Sequence, residues 1–290
     1  MISIVIPLYN KEKSILSTLE SVLAQSYKDW ECVVVDDGCT DKSREIVDQF
    51  KILDSRFQIL GQPNSGVSAA RNTGILVSKG EYVAFLDGDD LWNKDFLKEL
   101  VQLIKDYPGK SIYGLGCLPI DGDDIPIVSE DTYFRGVSDW NWNAMAYSGS
   151  STCVNKRDAI QVGLFDARMT HGEDIDMWWR LLLLHGGACY TRPYAFYRQD
   201  AENRAMKRIA PLEHFIAYYM DKYNDARRNN LKFRRFFDQE MVNKLYPYLF
   251  DARYRKEARL LASQLDYSQL KLSLRLRILF PHVYRLLSGK

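Results

Sequence analysis

No stretch of this 290-residue chain approaches the roughly 18 consecutive apolar residues that a membrane-spanning helix needs. An excess of one charge is missing too. The formal net charge is +1, which argues against a general nucleic-acid binder with its strongly basic face. Cysteine is sparse: Cys32, Cys39, Cys117, Cys153 and Cys189 are odd in number and contain no Cys-x-x-Cys pair. They are read as reduced cytosolic thiols, with neither a disulfide framework nor a zinc site. The opening Met1-Ile2-Ser3-Ile4-Val5-Ile6-Pro7 lacks the basic n-region and small-residue cleavage site of a signal peptide. Internal repeats and low-complexity tracts are absent as well. The expectation is a cytoplasmic protein that touches a membrane peripherally on its inner face, if at all.

What the chain does contain is an ordinary soluble composition, 46% hydrophobic and 27% charged, with length enough to bury a sizeable core. Short β-rich runs at 2–6, 31–35, 57–60 and 82–86 alternate with apolar residues at helical spacing. Ile15, Leu16, Leu19, Val22 and Leu23 form one such stripe, and Phe96, Leu97, Leu100, Val101 and Ile104 another. Strand, helix, strand in this order predicts an α/β domain with right-handed crossovers and a mostly parallel sheet covered on both faces. Residues 110–170 lose the regularity, which reads as a functional or lid segment. Helical periodicity returns over 174–185 and dominates from Pro211 onward. The expected division is a catalytic domain at 1–205 and a helical region at 206–290.

Two acidic clusters follow apolar runs, Val33-Val34-Val35-Asp36-Asp37 and Ala84-Phe85-Leu86-Asp87-Gly88-Asp89-Asp90. Each looks like a buried strand whose carboxyl end brings acids to the sheet edge where α/β proteins bind ligands. Carboxylates crowded in this way repel one another, so a divalent cation and a polar ligand are natural partners. An Asp-x-Asp turn can place one acid on the ion and the other on a ribose hydroxyl, although Asp90 would serve equally as a cap for the helix near Asn93. Pro7, Tyr9 and Asn10 end the first strand, where Tyr9 can stack on a base and Asn10 can cap the next helix. Asp37 can accept a uracil N–H or a ribose hydroxyl, while Thr40 or Asp41 caps a helix. In Asn64–Gly74, small residues open a helix carrying Arg71, whose guanidinium can fork onto a phosphate or base. His171-Gly172-Glu173-Asp174 places acids at a helix start, where they complement the dipole or supply a general base.

Taken together and in this order, these elements resemble the family 2 inverting glycosyltransferases of the GT-A fold, over about residues 1–200. The resemblance implies a GT-A, Rossmann-like mixed sheet flanked by helices, with a C-terminal helical extension. It implies that Pro7, Tyr9, Asn10, Asp37, Arg71 and Asp87 bind the nucleotide and that Asp89 holds Mn²⁺ or Mg²⁺. Asp174 matches the family's catalytic base, with Glu173 orienting the acceptor or the base. His171 stands as a further metal-ligand candidate against the plainer role of a loop hydrogen-bonding residue, and Trp140, Trp142 and Trp178 as sugar-stacking or core residues. The segment from Tyr197 to Arg208 takes the place of a mobile loop over the diphosphate. It lacks a Gln-x-x-Arg-Trp signature, which speaks against processive synthesis.

The implied partners are a nucleotide diphosphate sugar, with a UDP-sugar favoured, and a saccharide or lipid-linked acceptor of a bacterial surface polysaccharide. The absence of Gly-x-Gly-x-x-Gly after the first strand excludes a Rossmann dehydrogenase. The absence of a glycine-rich basic loop excludes a nucleotidyltransferase. A catalytically idle scaffold of the same fold remains the rival from another class. The tail Leu270–Pro281, with Lys271, Arg275 and Arg277 among apolar residues, reads either as a basic amphipathic helix on an anionic membrane or as a helix packed on the domain.

Overall fold

The computed structural model describes every residue except 130–132, 139, 141–145, 170, 202–210, 213–215 and 289–290. The chain forms two compact units. The first comprises Met1–Asp139, Asn143–Arg168 and Glu173–Lys207; the second comprises Trp140–Trp142, Met169–Gly172 and Arg208–Lys290.

In the first unit the elements run β1 (Ile2–Leu8), α1 (Ile15–Leu23), β2 (Trp30–Asp36), α2 (Ser43–Leu53), β3 (Phe57–Gly61), α3 (Val67–Val77) and β4 (Tyr82–Phe85). They continue as β5 (Leu91–Trp92), α4 (Phe96–Asp106), β6 (Ile112–Ile120), β7 (Arg135–Val137), β8 (Thr152–Asn155), α5 (Lys156–Gln161), α6 (Glu173–His185) and β9 (Gly187–Arg198). The sheet order is β3-β2-β1-β4-β8-β6-β9-β5, with β7 also paired to β9. The expected parallel arrangement holds for β3, β2, β1 and β4 and for β6 with β9. The other four pairings are antiparallel and short, so the sheet is mixed, with its longer ladders parallel.

Alternation along β1 and β2 sends their side chains to two faces. Ile4, Ile6, Cys32 and Val34 pack with Leu19, Val22, Leu97, Leu100 and Leu103 from the helices on one side. Val33 and Val35 meet Ala70 of α3 on the other. The α3 helix lies close because Gly74 faces Val5, where a Cβ would fall 2.3 Å from Val5 Cγ1. Burial of both faces explains the continuous apolar runs of these strands.

The stretch expected to be irregular holds the strands β6 and β8 and the helix α5. Gly114, Gly116 and Pro119 weaken the strand signal of β6, yet the glycines are what let neighbouring backbone in. A Cβ on Gly114 would lie 2.0 Å from the Ala146 carbonyl oxygen, and one on Gly116 would lie 2.2 Å from that of Thr191.

The second unit is helical: α7 (Ile216–Lys222), α8 (Asn224–Asn229), α9 (Leu231–Leu245), α10 (Arg255–Ala262), α11 (Leu272–Leu279) and α12 (Pro281–Ser288). Asn230 caps α9 by accepting from the Phe233 amide at 3.0 Å. Phe233, Phe237, Met241 and Leu245 are buried, and the buried Arg227 donates to Asp238 at 2.6 and 3.0 Å. The tail is thus helical, in two pieces. Among the described residues no helix is long and apolar enough to cross a membrane.

Candidate active site

Strand order reverses at β1, which has β2 on one side and β4 on the other. Such a switch point leaves a crevice beyond the carboxyl ends of the strands, and the first two acidic clusters lie there. The Asp37 amide donates to Leu8 O at 2.8 Å and the Leu86 amide to Val5 O at 3.2 Å, tying both clusters to the end of β1.

At the end of β2 the two aspartates have different work. Asp36 accepts from the Cys39 amide and from Arg44 Nη1, each at 2.8 Å, and so fixes the turn through Gly38, whose φ is +80°. Burial pushes its carboxyl up, but the Cys39 and Arg44 hydrogen bonds outweigh it and hold the group below its ordinary value. Asp37 is 4% exposed and accepts from Gln62 Nε2 at 2.7 Å, the Ser65 amide at 2.9 Å and the Gly66 amide at 2.8 Å. It therefore anchors the start of α3, where backbone N–H groups favour an anion.

Tyr9 is exposed beyond Pro7. Asn10, expected to cap α1, does not: Ser14 occupies the cap position. Asn10 has φ +49°, and its Oδ1 accepts from the Thr40 amide at 2.8 Å, so it fastens the first loop to the second. The cap position of α2 belongs to Lys42, and Asp41 before it accepts from the Ser43 amide at 3.0 Å.

Arg71 is buried and joins the clusters. Its Nη2 lies 2.8 Å from Asp87 Oδ1 and its Nη1 3.2 Å from Glu173 Oε1. Burial works against the guanidinium charge, but Asp87, Glu173 and Asp174 outweigh it and hold Arg71 above its ordinary value. Gly149 borders this pair: a Cβ there would fall 2.9 Å from Asp87 Oδ2 and 3.1 Å from Arg71 Nη2.

Within the Asp87–Asp90 turn, Lys11 Nζ lies 2.5 Å from Asp89 Oδ2. Burial raises the Asp89 carboxyl and Lys11 opposes the rise. Asp90, expected to cap the following helix, turns inward instead and is 1% exposed. It accepts from Ser150 Oγ and from the Arg198 amide, and burial with Asp87 and Asp89 alongside pushes it up to about 8. The cap position of α4 belongs to Asp95. With both Asp90 oxygens engaged, Asp87 and Asp89 are the carboxylates of the turn left to meet a ligand.

Glu173, Asp174 and Asp176 occupy the first turn of α6, where negative charge complements the helix dipole. Asp176 pairs with Arg180 at 2.7 Å, and Arg180 also donates to Val162 O and Leu164 O, which sets the helix in place. Burial and the Asp174 charge raise the Glu173 carboxyl. Asp174 Oδ1 accepts from the Ile175 amide at 2.7 Å.

His171 is grouped with the second unit. Trp178 is core, its ring centroid 5.7 Å from Phe85 and 5.5 Å from Phe165, and Trp140 packs on Phe233 and Phe236. Trp142 and residues 202–208 lie outside the described residues, while Tyr197 and Arg198 end β9 instead of opening a loop. Lys11, Gly149, Ser150 and Arg198 went unmarked as site residues. Lys11 follows Asn10 directly and Arg198 stood inside a singled-out segment, but only the fold brings them to the acids.

The turn fits a divalent cation. Asp87, Asp89, Glu173 and Asp174 have Lys11, Arg71 and Arg198 as cationic neighbours, four acids to three cations. Among the described residues, no group of three or more His, Cys, Asp or Glu is arranged to hold a metal. A hard ion bound through one or two carboxylates, with water and substrate phosphate filling its remaining positions, matches that donor set.

Over 185 residues the chain is 30% identical to the amylovoran biosynthesis glycosyltransferase AmsB of Erwinia amylovora, covering 60% of this chain and 62% of that one. It is 39% identical over 115 residues to the glycosyltransferase GlyG of Streptococcus pneumoniae, covering 39% and 38%. The chain thus spans less than two thirds of the length of these relatives. Among solved structures, residues 1–349 of TarS from S. aureus, in complex with UDP-GlcNAc, superpose with a TM-score of 0.61 at 17% identity, covering 95% of this chain and 72% of that one. The mannosyltransferase PcManGT from Pyrobaculum calidifontis, in complex with GDP-Man and Mn²⁺, gives 0.64 at 15%, covering 98% and 80%. At such identities the likeness is one of fold. The model of glycosyl transferase family 2 matches residues 3–160, more than half of the chain, and the protein belongs to that family.

Proposed function

We propose that the protein is an inverting glycosyltransferase that moves a sugar from a nucleotide diphosphate sugar, a UDP-sugar foremost, to a hydroxyl of a saccharide or lipid-linked acceptor in surface-polysaccharide synthesis. The observation that carries this reading is the Arg71 bridge. It links the nucleotide side of the crevice, with Asp37 and Asp87, to the Glu173-Asp174 pair at the start of α6. The nucleotide sugars bound by TarS and PcManGT support the donor class.

In this reading Tyr9 stacks on the base beside Pro7 and Asn10, Asp37 accepts from the base or ribose, and Asp87 meets the ribose. Asp174 takes the proton from an acceptor hydroxyl. That oxygen attacks the anomeric carbon from the face opposite the diphosphate, and the bond to the diphosphate breaks with its electron pair leaving on phosphate oxygen. The product has inverted configuration, through an oxocarbenium-like transition state. Glu173, fixed by Arg71, orients the acceptor or the base. Mn²⁺ or Mg²⁺ held by Asp89 would supply Lewis-acid neutralisation of the leaving diphosphate.

The second unit supports an anionic membrane surface as a further partner. Residues 271–290 hold Lys271, Arg275, Arg277, Arg285 and Lys290 and no acid. Leu286 and Leu287 are 84% and 75% exposed, and Leu279, Phe280 and Val283 are exposed as well. Apolar side chains beside basic charge suit an anionic bilayer.

Thermal stability measured with UDP and with GDP, each with Mn²⁺, with Mg²⁺ and with chelator, tests the donor reading. A metal-dependent rise in Tm with one nucleotide is expected, because a ligand of the folded state stabilises it. The absence of any rise would favour an idle scaffold.

A further inference from the structure

We propose that Arg198 is a positioning residue for glycosyl transfer, setting the Asp87–Asp90 turn from beneath without touching substrate. This inference rests on the donor reading above.

Arg198 is the last residue of β9 and is 5% exposed. Its Nε donates to the main-chain oxygen of Asp89. Nη2 donates to Ser14 O at 3.0 Å, and Nη1 to Ser17 Oγ at 2.9 Å and to Asp123 Oδ1. Its amide donates to Asp90 Oδ1 at 3.1 Å. One residue thus grips the backbone of Asp89, the side chain of Asp90, the start of α1 and the segment after β6.

The placement follows from register. Leu91 faces Phe196 and Trp92 faces Ala195 in the antiparallel β5–β9 pair, and continuing that pairing sets Asp89 opposite Arg198. The start of α1 completes the hold: Ser14 Oγ and Thr18 Oγ1 both donate to Gly88 O, at 3.3 and 3.2 Å. On the far side of the turn, Ser150 Oγ donates to Asp90 and accepts from the Asp87 amide.

The bonding pattern needs a guanidinium. Two of its acceptors, Asp89 O and Ser14 O, are main-chain oxygens in different elements, and a third is a hydroxyl. A planar fork reaches them together; a lysine ammonium is a point charge that reaches fewer. When the Asp89 carbonyl is released, the Asp89 carboxylate loses its fixed distance to Asp87 and Lys11. Charge alone, which lysine keeps, does not restore it.

The test compares wild type with Arg198→Lys and Thr18→Val by urea unfolding, by calorimetric binding of UDP and GDP with Mn²⁺ and with chelator, and by steady-state kinetics. Arg198→Lys is expected to remain folded, to bind the metal-dependent nucleotide about tenfold more weakly and to lose kcat, with chelator-resistant binding unchanged. Thr18→Val, which removes one bond to Gly88 O without altering charge, is expected to shift the same binding in the same direction by less. Lower stability of both variants with wild-type metal-dependent binding would make the role merely structural and overturn the proposal. Wild type that binds neither nucleotide with metal would instead overturn the donor reading and this inference with it.

Discussion

Arg71 Nη1 stands 3.2 Å from Glu173 Oε1, 102 residues away in sequence, while its Nη2 holds Asp87. One buried cation therefore spaces two acids that repel each other. Replacing Arg71 with Met should destabilise the protein by about 2–3 kcal/mol, below the cost of breaking a fully buried pair, since Asp87 and Glu173 are only partly buried. Urea unfolding at neutral pH reads this, and a loss below about 1 kcal/mol would mean that solvent already compensates the acids.

Asp174→Asn removes the proposed base while keeping shape. Turnover should fall by about 10²- to 10⁴-fold, with the nucleotide dissociation constant unchanged. Normal turnover in a variant that binds donor would remove Asp174 from the base role.

Gly149→Ala places a methyl group against Asp87 Oδ2 and Arg71 Nη2. Overpacking of this kind costs about 1–3 kcal/mol. Because the atoms pushed belong to the site, nucleotide affinity should fall further than Tm does. Equal affinity with a lower Tm would show that Asp87 yields without consequence.

Arg44→Met tests the pH behaviour of the β2 turn. Although burial raises it, Asp36 sits below its ordinary value because of Cys39 and Arg44. A depressed carboxyl contributes stability above the unfolded value, about 3.9, and loses it as pH falls through the folded one. Arg44 is half exposed, so the variant should be weaker by only about 0.2–1 kcal/mol at pH 7. That difference should vanish towards about pH 2. Chemical unfolding across this range checks the sign: a gap that widens in acid would refute it.

Leu286→Glu with Leu287→Glu alters two side chains that are almost wholly exposed, so folding should be untouched. Sedimentation with vesicles containing anionic lipid should be lost in the double variant and weakened in the parent by added salt. Equal sedimentation of both proteins would place any membrane contact elsewhere.

The first half of the sheet was legible because β1, β2 and β4 are largely apolar runs, and acids follow the last two. Legibility failed where backbone approach decides the structure. β6 carries Gly114 and Gly116 at a bulged pairing with β9, and β9 carries Gly187 and Pro193, so neither has a strand's usual signature. The acids of the site could be read from their position after strands, whereas their counter-ions could not. Lys11, Arg71 and Arg198 acquire their partners only through contacts 16 to 184 residues distant. A cap is a local expectation, and the side chains of Asn10 and Asp90 find other partners across the fold.

The lengths of the strands have a bearing on association between copies of the protein. The long members, β6 and β9, have nine and twelve residues and lie inside the sheet order. The strands that end that order, β3 and β5, have five and two. A long bare edge is a template on which a foreign strand can add, and brevity at the margins is one of the ways natural sheets blunt it. In this chain the longest ladder, β6 with β9, lies inside the sheet, and the strands that close the order are short, which disfavours edge-to-edge aggregation.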